Sequence, residues 1–250
     1  MTSTLEKKWD LIEKALPNEP IPLEKIFSVL DLTRLDEQAS SEDLEHLAKT
    51  AHREHVAAIC VFPQHLQYIP KLDSIQRATV VNFPGGNQVH QKVLQDIEHA
   101  IIQQQADEID YVFAYPAYLH GQQAEALAWC HEAYQLCQTH GRLLKVILET
   151  GAIPTPTMVY QLSTDVIHAG CDMLKTSTGK IAVGATLPAV FAMLTAIQDH
   201  KPSCGIKCSG GIKTVAQASR FIHLAEQVLD KKVDKSWFRI GASTLKSVEN

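Results

Sequence analysis

Short apolar segments recur along this chain at intervals that suit one β-strand followed by one helix. Each segment carries a polar residue, and successive polar residues lie 22 to 35 positions apart. A connection between parallel strands needs about this length, so the spacing predicts a repeated βα unit. The polar residues are Asp31, Cys60, Asn82, Asp110, Lys145, Lys175, Lys207 and Arg239.

Eight such units predict an α/β fold, a (β/α)8 TIM barrel with one short extra helix at the N-terminus. An open doubly wound sheet is the alternative, but no G-x-G-x-x-G pattern follows the first strand. The predicted strands are Phe27–Thr33, Ala57–Pro63, Arg77–Pro84, Glu108–Tyr115, Leu143–Thr150, Asp172–Gly179, Gly205–Gly211 and Trp237–Ser243.

Helical patterns fill the intervals between these strands. The N-terminal helix is predicted over residues 4–15, and the proline-rich segment 17–22 ends it. The connection near residues 64–76 is short and irregular. No change of composition divides the chain, so residues 1–250 are expected to form a single domain. The other predicted helices are Ser41–Glu54, Val89–Gln105, Ala117–His140, Thr157–Ala169, Leu187–His200 and Thr214–Asp230.

The composition argues against several functional classes. The net charge of −5 gives no basic surface for nucleic acid. No apolar run reaches the length of a membrane span, and the N-terminal residues contain no apolar signal segment. The six cysteines are scattered without a C-x-x-C pattern, so we expect reduced thiols, a cytoplasmic protein and no bound metal. Nucleic acid and membrane are not expected as partners, and a homodimer is left open.

Lysine occupies equivalent positions in three consecutive predicted strands. Strand alternation directs Lys145, Lys175 and Lys207 to the same side as Asp110, towards the barrel interior. Burying lysine is unfavourable unless the side chain is paired or neutral. A purely structural ion-pair network, with Glu149 as a second acid, is the alternative. Three lysines against two acids leave a surplus of positive charge, which favours a functional site.

The expected spacing of the lysines suggests a nucleophile. Neighbouring strands lie about 4.8 Å apart, and two ammonium groups at such a distance repel by about 3 kcal/mol at an effective dielectric near 20. This repulsion would leave one of Lys175 and Lys207 partly neutral near pH 7, and a neutral amine can form a Schiff base with a carbonyl. Asp110 would move protons, directly or through water. The predicted catalytic residues are therefore Lys175, Lys207 and Asp110.

Glycine and hydroxyl residues close the last three predicted strands. Backbone N–H groups in such turns bind phosphate, and barrels often place this site after strands seven and eight. Tight turns without a ligand are the alternative. On the earlier strands, Asp31 could contact substrate or cap a turn, and Cys60 is either a reactive thiol or a small apolar side chain. The residues expected to bind substrate or phosphate are Asp31, Cys60, Lys145, Thr178, Gly179, Lys180, Gly210, Gly211, Ser243 and Thr244.

These segments resemble the deoxyribose-phosphate aldolases, a family of class I (Schiff-base) aldolases. The resemblance runs from about Val29 to Leu245. It is most specific in the run Lys175-Thr176-Ser177-Thr178-Gly179, with the second lysine, Lys207, one unit later. Other matching segments are Leu30–Thr33, Ala58–Val61, Val81–Pro84, Asp107–Asp110, Leu144–Gly151, Gly205–Lys207 and Arg239–Ser243.

The resemblance implies a lyase that reversibly cleaves 2-deoxy-D-ribose 5-phosphate to D-glyceraldehyde 3-phosphate and acetaldehyde, with no metal or organic cofactor. By position, Lys175 matches the Schiff-base lysine. Lys207 matches the lysine that lowers its pKa and assists proton transfer, and Asp110 matches the acid that relays protons.

Two other functions remain open at this point. A phosphosugar isomerase barrel would use carboxylate acid–base chemistry without a covalent intermediate. A non-catalytic sugar-phosphate-binding barrel is suggested by Cys208 and Ser209, where the family usually has proline and alanine. Lys213 also stands where arginine is commoner, and the sequence ends in Val248-Glu249-Asn250 whereas some members bring a C-terminal tyrosine to the site.

Overall fold

Eight strands close into a barrel in the computed structural model, which describes residues 2–246. Every neighbouring pair is parallel, and the strands follow chain order around the barrel. The predicted TIM barrel is confirmed. The strands are β1 (Leu30–Arg34), β2 (Ala58–Val61), β3 (Gln76–Val81), β4 (Glu108–Val112), β5 (Leu143–Ile147), β6 (Met173–Lys175), β7 (Gly205–Ser209) and β8 (Phe238–Ala242).

Helices cover the outside of the barrel. They are α1 (Thr2–Ala15), α2 (Leu23–Phe27), α3 (Ser41–Arg53), α4 (His90–Ile102), α5 (Tyr115–Leu119), α6 (Gln123–Thr139), α7 (Pro156–Ala169), α8 (Leu187–His200) and α9 (Val215–Leu229), with 3-10 turns at Pro63–Tyr68 and Thr150–Ala152. The extra N-terminal helix, α1, packs on α8, where the rings of Trp9 and Phe191 lie 5.4 Å apart. The end of the chain at Val248-Glu249-Asn250 lies outside the described residues.

Hydroxyl side chains begin several of these helices. Ser40 accepts a hydrogen bond from the Asp43 backbone N–H, and the Asp43 carboxylate accepts one from the Ser40 backbone, so the two residues form a complete capping box at the start of α3. Thr186 caps α8 in the simpler way, and Thr214 forms a second capping box at α9. Because such caps satisfy N–H groups that the first turn of a helix leaves unpaired, they fix the residue at which each loop ends and the helix begins.

Two predicted boundaries in the first half of the chain were wrong. Residues 27–29 precede the first strand, because the chain forms α2 after Pro22 and the Ser28 N–H closes that helix on the Glu24 carbonyl. The helix predicted over residues 117–140 is two helices. Gly121 separates them with a φ of 94°, a left-handed value that an α-helix cannot contain.

β6 is shorter than its apolar pattern predicted, since only Met173–Lys175 belong to the strand. At Thr176 the side chain adds to the backbone pairing with β7, which ends with the bond from the Thr176 N–H to the Lys207 carbonyl at 3.0 Å. The Thr176 hydroxyl donates to the Ser209 carbonyl at 3.0 Å and accepts from the Ser209 N–H at 2.9 Å. The chain therefore leaves the sheet at the residue that follows Lys175.

The interior of the barrel has two kinds of wall. On β2 and β3 the inward side chains are small and apolar: Ala58, Cys60, Ala78 and Val80 form a separate buried cluster. On the remaining strands the inward side chains include charged residues that are almost entirely buried. Within residues 2–246, none of the helices is both long enough and apolar enough to cross a membrane.

Candidate active site

Strand register brings the predicted catalytic side chains together. Lys175 of β6 pairs with Lys207 of β7, which in turn pairs with Arg239 of β8. Asp110 of β4 pairs with Lys145 of β5. Since inward residues alternate along each strand, these five side chains enter the barrel at neighbouring positions.

The deepest charged residues form a group that we call the barrel floor: Asp31, Glu108, Lys145 and Arg239. The ammonium of Lys145 contacts Glu108 at 2.5 Å and Asp31 at 3.6 Å. The Arg239 guanidinium donates to Asp31 at 2.7 Å and to Glu108 at 2.8 Å. Two cations therefore face two carboxylates, and the floor is balanced in charge.

Above the floor, Asp110, Lys175 and Lys207 form a second group, the upper triad. Both lysine ammonium groups donate to the same oxygen, Oδ2 of Asp110, at 2.7 Å. The other oxygen of Asp110 accepts from Lys145 at 2.8 Å, and Lys207 also contacts Asp31 at 2.6 Å. The upper triad thus holds two amines against one carboxylate, and it accounts for the surplus of positive charge in the interior.

The pKa values of the upper triad diverge for physical reasons. Burial lowers the pKa of Lys175; Asp110 opposes this change, and the charge on Lys207 reinforces it. Burial also acts to lower the pKa of Lys207, but Asp110 and Asp31 outweigh it and raise that pKa. For Asp110, burial is opposed by the three lysines, which hold the pKa of its carboxyl well below its usual range. The predicted lysine repulsion is thus present, but burial is the larger cause.

Lys175 is the strand lysine that reaches an opening. It lines a cavity of about 270 Å³ at the C-terminal end of the barrel, whereas Lys145 and Lys207 are completely buried. Active sites of TIM barrels lie at this end. The cavity is lined by Thr33, Leu35, Lys175, Thr178, Gly179, Lys180, Ser209, Gly210, Gly211, Ile212, Lys213, Gly241, Ala242 and Ser243.

The residues predicted to bind substrate separate into two sets. Thr178, Gly179, Lys180, Gly210, Gly211 and Ser243 line the cavity. Thr244 is exposed just beyond it. The three strand residues lie deeper, fully buried: Lys145 and Asp31 are ion-paired, and burial raises the pKa of the Cys60 thiol. A direct contact of these three with substrate is therefore not favoured by their position.

Glycine is required where the turns after β6 and β7 meet. Gly179 and Gly210 adopt φ values of 76° and 84°. A Cβ atom on Gly184 would lie 2.2 Å from the Gly210 carbonyl oxygen, so the two turns contact each other through backbone. This contact leaves the cavity wall lined by peptide groups rather than by side chains.

The two departures at the end of β7 have different consequences. Cys208 faces outward, is completely buried and belongs to the hydrophobic core, so it does not reach the cavity. Ser209 faces inward and lines the cavity, and its hydroxyl donates to the Ser177 carbonyl at 2.6 Å. Ser209 thus adds a link between β6 and β7 directly beside Lys175.

Some charged partners were not predicted from the sequence. Glu108 stands two residues before Asp110, so alternation places both on one face and could have identified it. Arg239 was named only as the polar residue of the last strand, without a partner. Glu149, the second acid of the alternative ion-pair network, accepts hydrogen bonds from Thr178.

Comparison with known proteins decides the family. The model of the DeoC/LacD family aldolases matches residues 27–246. A deoxyribose-phosphate aldolase of Agrobacterium fabrum is 39% identical over 224 residues, which cover 87% of this chain and 86% of that protein. The chain belongs to the DeoC/LacD aldolase family. Aldolases of this family are lyases, and these relatives favour neither the isomerase nor the non-catalytic barrel.

Solved structures of DeoC-type proteins share the fold. The tetrameric deoxyribose phosphate aldolase of Aeropyrum pernix matches with a TM-score of 0.73 and 24% identity, over 89% of this chain and 88% of that one. A Coccidioides immitis protein described as a deoxyribose-phosphate aldolase matches with a TM-score of 0.78 and 24% identity, over 95% of this chain and 93% of its own. At this identity the likeness supports the barrel architecture.

Proposed function

We propose that this DeoC/LacD aldolase reversibly cleaves 2-deoxy-D-ribose 5-phosphate into D-glyceraldehyde 3-phosphate and acetaldehyde through a Schiff base on Lys175. One observation carries the assignment of the nucleophile. Lys175 is the strand lysine that lines the cavity, and it is also the one whose pKa is lowered. A buried lysine with a lowered pKa supplies the neutral amine that attacks a carbonyl.

The reaction proceeds through an imine. The Lys175 amine adds to the C1 aldehyde, and loss of water gives an iminium ion that serves as an electron sink. A proton then leaves the C3 hydroxyl, and the C2–C3 electron pair moves towards nitrogen, which releases D-glyceraldehyde 3-phosphate. The remaining enamine takes a proton at C2, and hydrolysis frees acetaldehyde and Lys175.

Asp110 and Lys207 serve the proton transfers in this proposal. The Lys207 ammonium and the Lys175 nitrogen contact one oxygen of Asp110, so a proton needs to move only between adjacent hydrogen-bonded atoms. Asp110 is the relay, and Lys207 remains an ammonium hydrogen-bonded to it, because the pKa of Lys207 is raised. The floor residues Lys145 and Asp31 hold this arrangement from below, and Cys60 fills the apolar wall.

The phosphate binds at the turns after β6, β7 and β8. These turns supply backbone N–H groups at Gly179, Gly210 and Gly211, the hydroxyl of Ser243, and the ammonium groups of Lys180 and Lys213 at the cavity. Thr244 adds a hydroxyl at the outer edge. The positive side chains of Lys180 and Lys213 suit a dianionic phosphate. The phosphate would bind at the mouth of the cavity, while the reacting carbonyl lies at Lys175.

Borohydride trapping tests the proposal. Reduction in the presence of 2-deoxy-D-ribose 5-phosphate should add the reduced adduct mass at Lys175, and Lys175→Ala should lose trapping and at least about 10⁴-fold in kcat. Lys49→Met, which removes a lysine 72% exposed on α3, is the matched control. Full activity of Lys175→Ala with an adduct on another lysine would contradict the assignment. Isomerase turnover without any adduct would favour the isomerase.

The cellular setting is also proposed. All six cysteines are free thiols, and Cys171 and Cys204 stay unbonded with their sulfur atoms 3.7 Å apart, which supports a reducing, cytoplasmic location. A homodimer stays a prediction, and size-exclusion chromatography with light scattering measures the assembly directly.

A further inference from the structure

The turn after β5 contains a buried acid that the reaction steps above do not use. β5 ends at Ile147, and Glu149 then adopts φ 54° and ψ 57°, a left-handed conformation uncommon outside glycine. Its side chain is completely buried. A conformation of this kind persists only where surrounding contacts hold it, and it often marks a functional site.

The carboxylate of Glu149 holds the first part of the mouth loop, the segment 178–184. The Thr178 N–H donates to both carboxylate oxygens, at 3.3 and 3.4 Å, and the Thr178 hydroxyl donates to one of them at 2.5 Å. The same hydroxyl accepts from the Lys180 N–H at 3.1 Å. Glu149 therefore anchors a hydrogen-bond chain that sets the backbone conformation from Thr178 to Lys180.

The same β5 turn also supports the far part of the mouth loop. Gly151 lies against Val183 so closely that a Cβ atom on Gly151 would be 2.1 Å from the Val183 carbonyl oxygen. Residues 149–151 thus support the mouth loop at two places. Glu149 holds Thr178 through hydrogen bonds, and Gly151 contacts Val183 through the backbone. The position of Thr178, Gly179 and Lys180 at the cavity depends on this support.

Chemistry explains why the anchor is a carboxylate. Both groups that Thr178 presents are donors, and an ionised carboxylate has acceptor positions on both oxygens and no hydrogen of its own. Hydrogen bonds to a charged acceptor are also stronger than those between neutral groups. Burial raises the pKa of Glu149, whereas the bonds from Thr178 and the charge of Lys175 act against this rise.

We propose that Glu149 is a positioning residue for the anionic end of the substrate. It acts through Thr178, whose backbone and hydroxyl it holds, and so fixes the turn that receives the phosphate. The inference deepens the proposed function and rests on it. Glu149 makes no contact with the reacting carbon in this assignment, so its removal should affect phosphate recognition far more than imine formation.

A phosphorylated and an unphosphorylated substrate distinguish an effect on phosphate recognition from an effect on imine formation. In Glu149→Ala, KM for 2-deoxy-D-ribose 5-phosphate should rise by about 10- to 100-fold, as expected for lost hydrogen bonds to a charged group. The kcat/KM for unphosphorylated 2-deoxy-D-ribose should change by less than about 3-fold, and borohydride trapping of acetaldehyde on Lys175 should persist. Glu149→Gln, which keeps one acceptor oxygen, should recover part of the loss. An equal loss for both substrates, or for neither, overturns the inference.

Thr178 variants provide the second test and apply even if Glu149→Ala does not fold. Thr178→Val should reproduce part of the selective loss, because it removes the hydroxyl bond to Glu149 but keeps the backbone N–H bonds, and Thr178→Ser should restore normal selectivity, because it keeps the hydroxyl. In the double variant Glu149→Ala/Thr178→Val the loss from Thr178→Val should not add to that from Glu149→Ala, since the hydroxyl bond is already absent without Glu149. Full additivity, or normal phosphate selectivity in Thr178→Val, contradicts the inference. Absence of cleavage and of any adduct in the unmodified enzyme would instead refute the proposed function.

Discussion

The barrel floor and the upper triad place the same side chain in opposite electrostatic settings. On the floor, Lys145 lies within 3.6 Å of three carboxylates, those of Glu108, Asp110 and Asp31, and these raise its pKa against the effect of burial. In the upper triad, Lys175 contacts one carboxylate oxygen, which it shares with Lys207. There the effect of burial prevails, and the pKa is lowered.

The difference supports Lys175 as the proposed nucleophile, because the number of acids around each lysine, rather than burial alone, decides whether its pKa is raised or lowered. All three lysines are almost completely buried, so burial disfavours each ammonium. Because the barrel floor and the upper triad together hold four cations and three carboxylates, one cation is held less firmly than the rest. Lys175 is that cation, and it is also the one at the cavity.

The largest expected effect concerns stability. Lys145→Met leaves Glu108 and Asp110 buried with fewer partners and should lower the free energy of unfolding by about 3–5 kcal/mol. Because the pKa of Lys145 is raised in the folded state, its contribution is fully present below about pH 10 and is lost as pH rises through the folded pKa, so urea unfolding at pH 7 measures all of it.

Lys175→Met is the matched variant for that measurement. It removes a lysine with a single carboxylate partner and relieves the repulsion of Lys207, so its stability should change by about 1 kcal/mol or less. Equal destabilisation by the two substitutions would show that the floor and the triad are not electrostatically different.

A second expected effect concerns the pH dependence of the reaction. The charge on Lys207 contributes to the lowered pKa of Lys175, so Lys207→Met should raise that pKa. Because the neutral amine is reactive, the acid limb of the kcat/KM profile should move to higher pH. Loss of proton transfer should also reduce kcat by about 100-fold. Steady-state cleavage kinetics between pH 5 and pH 10 give both kcat/KM and kcat.

The surface variant Lys49→Met is again the control for a change of one positive charge. Its acid limb should coincide with that of the unmodified enzyme. A limb that stays in place in Lys207→Met, or moves to lower pH, would show that Lys207 does not set the charge state of Lys175.

The smallest expected effect comes from a glycine beside the upper triad. A Cβ atom on Gly241 would lie 3.0 Å from Cε of Lys207 and 2.9 Å from Cβ of Ser209. Gly241→Ala should therefore displace Lys207 and cost about 1 kcal/mol of stability, with a several-fold loss of kcat. Gly85→Ala, whose added Cβ would meet only the exposed Asn87 side chain, should leave kcat unchanged. Equal kcat values for both variants would contradict this close packing.

Strand periodicity predicted much of this arrangement. A spacing of two residues within a strand and one βα unit between strands was enough to place Asp110, Lys145, Lys175 and Lys207 on one interior surface. The strand starts were harder to predict, since Phe27 and Val29 are apolar residues that suit a helix end as well as a strand. Gly121 broke a helix pattern that was otherwise continuous.

The role of Glu149 could not be predicted from strand periodicity. Alternation continued from Lys145 through Ile147 would direct Glu149 towards the lysines. The left-handed backbone at Glu149 ends that alternation, and no residue type at this position announces it. The depth of each side chain in the barrel could not be predicted either, because alternation gives the face of a side chain but not its distance from the cavity. Lys145 and Lys175 share a face and differ in that distance.

The brevity of β6 has a consequence for enzyme engineering. Barrel closure on this side depends on Met173–Lys175 and on the bonds between Thr176 and Ser209, and none of these residues belongs to the mouth loop. The exposed Ile181 and Val183, which follow Gly179 and Lys180 in the mouth loop, can therefore be varied to change which acceptor aldehydes enter while the strand that carries Lys175 stays in place. A library confined to these positions would sample new specificities on an intact scaffold.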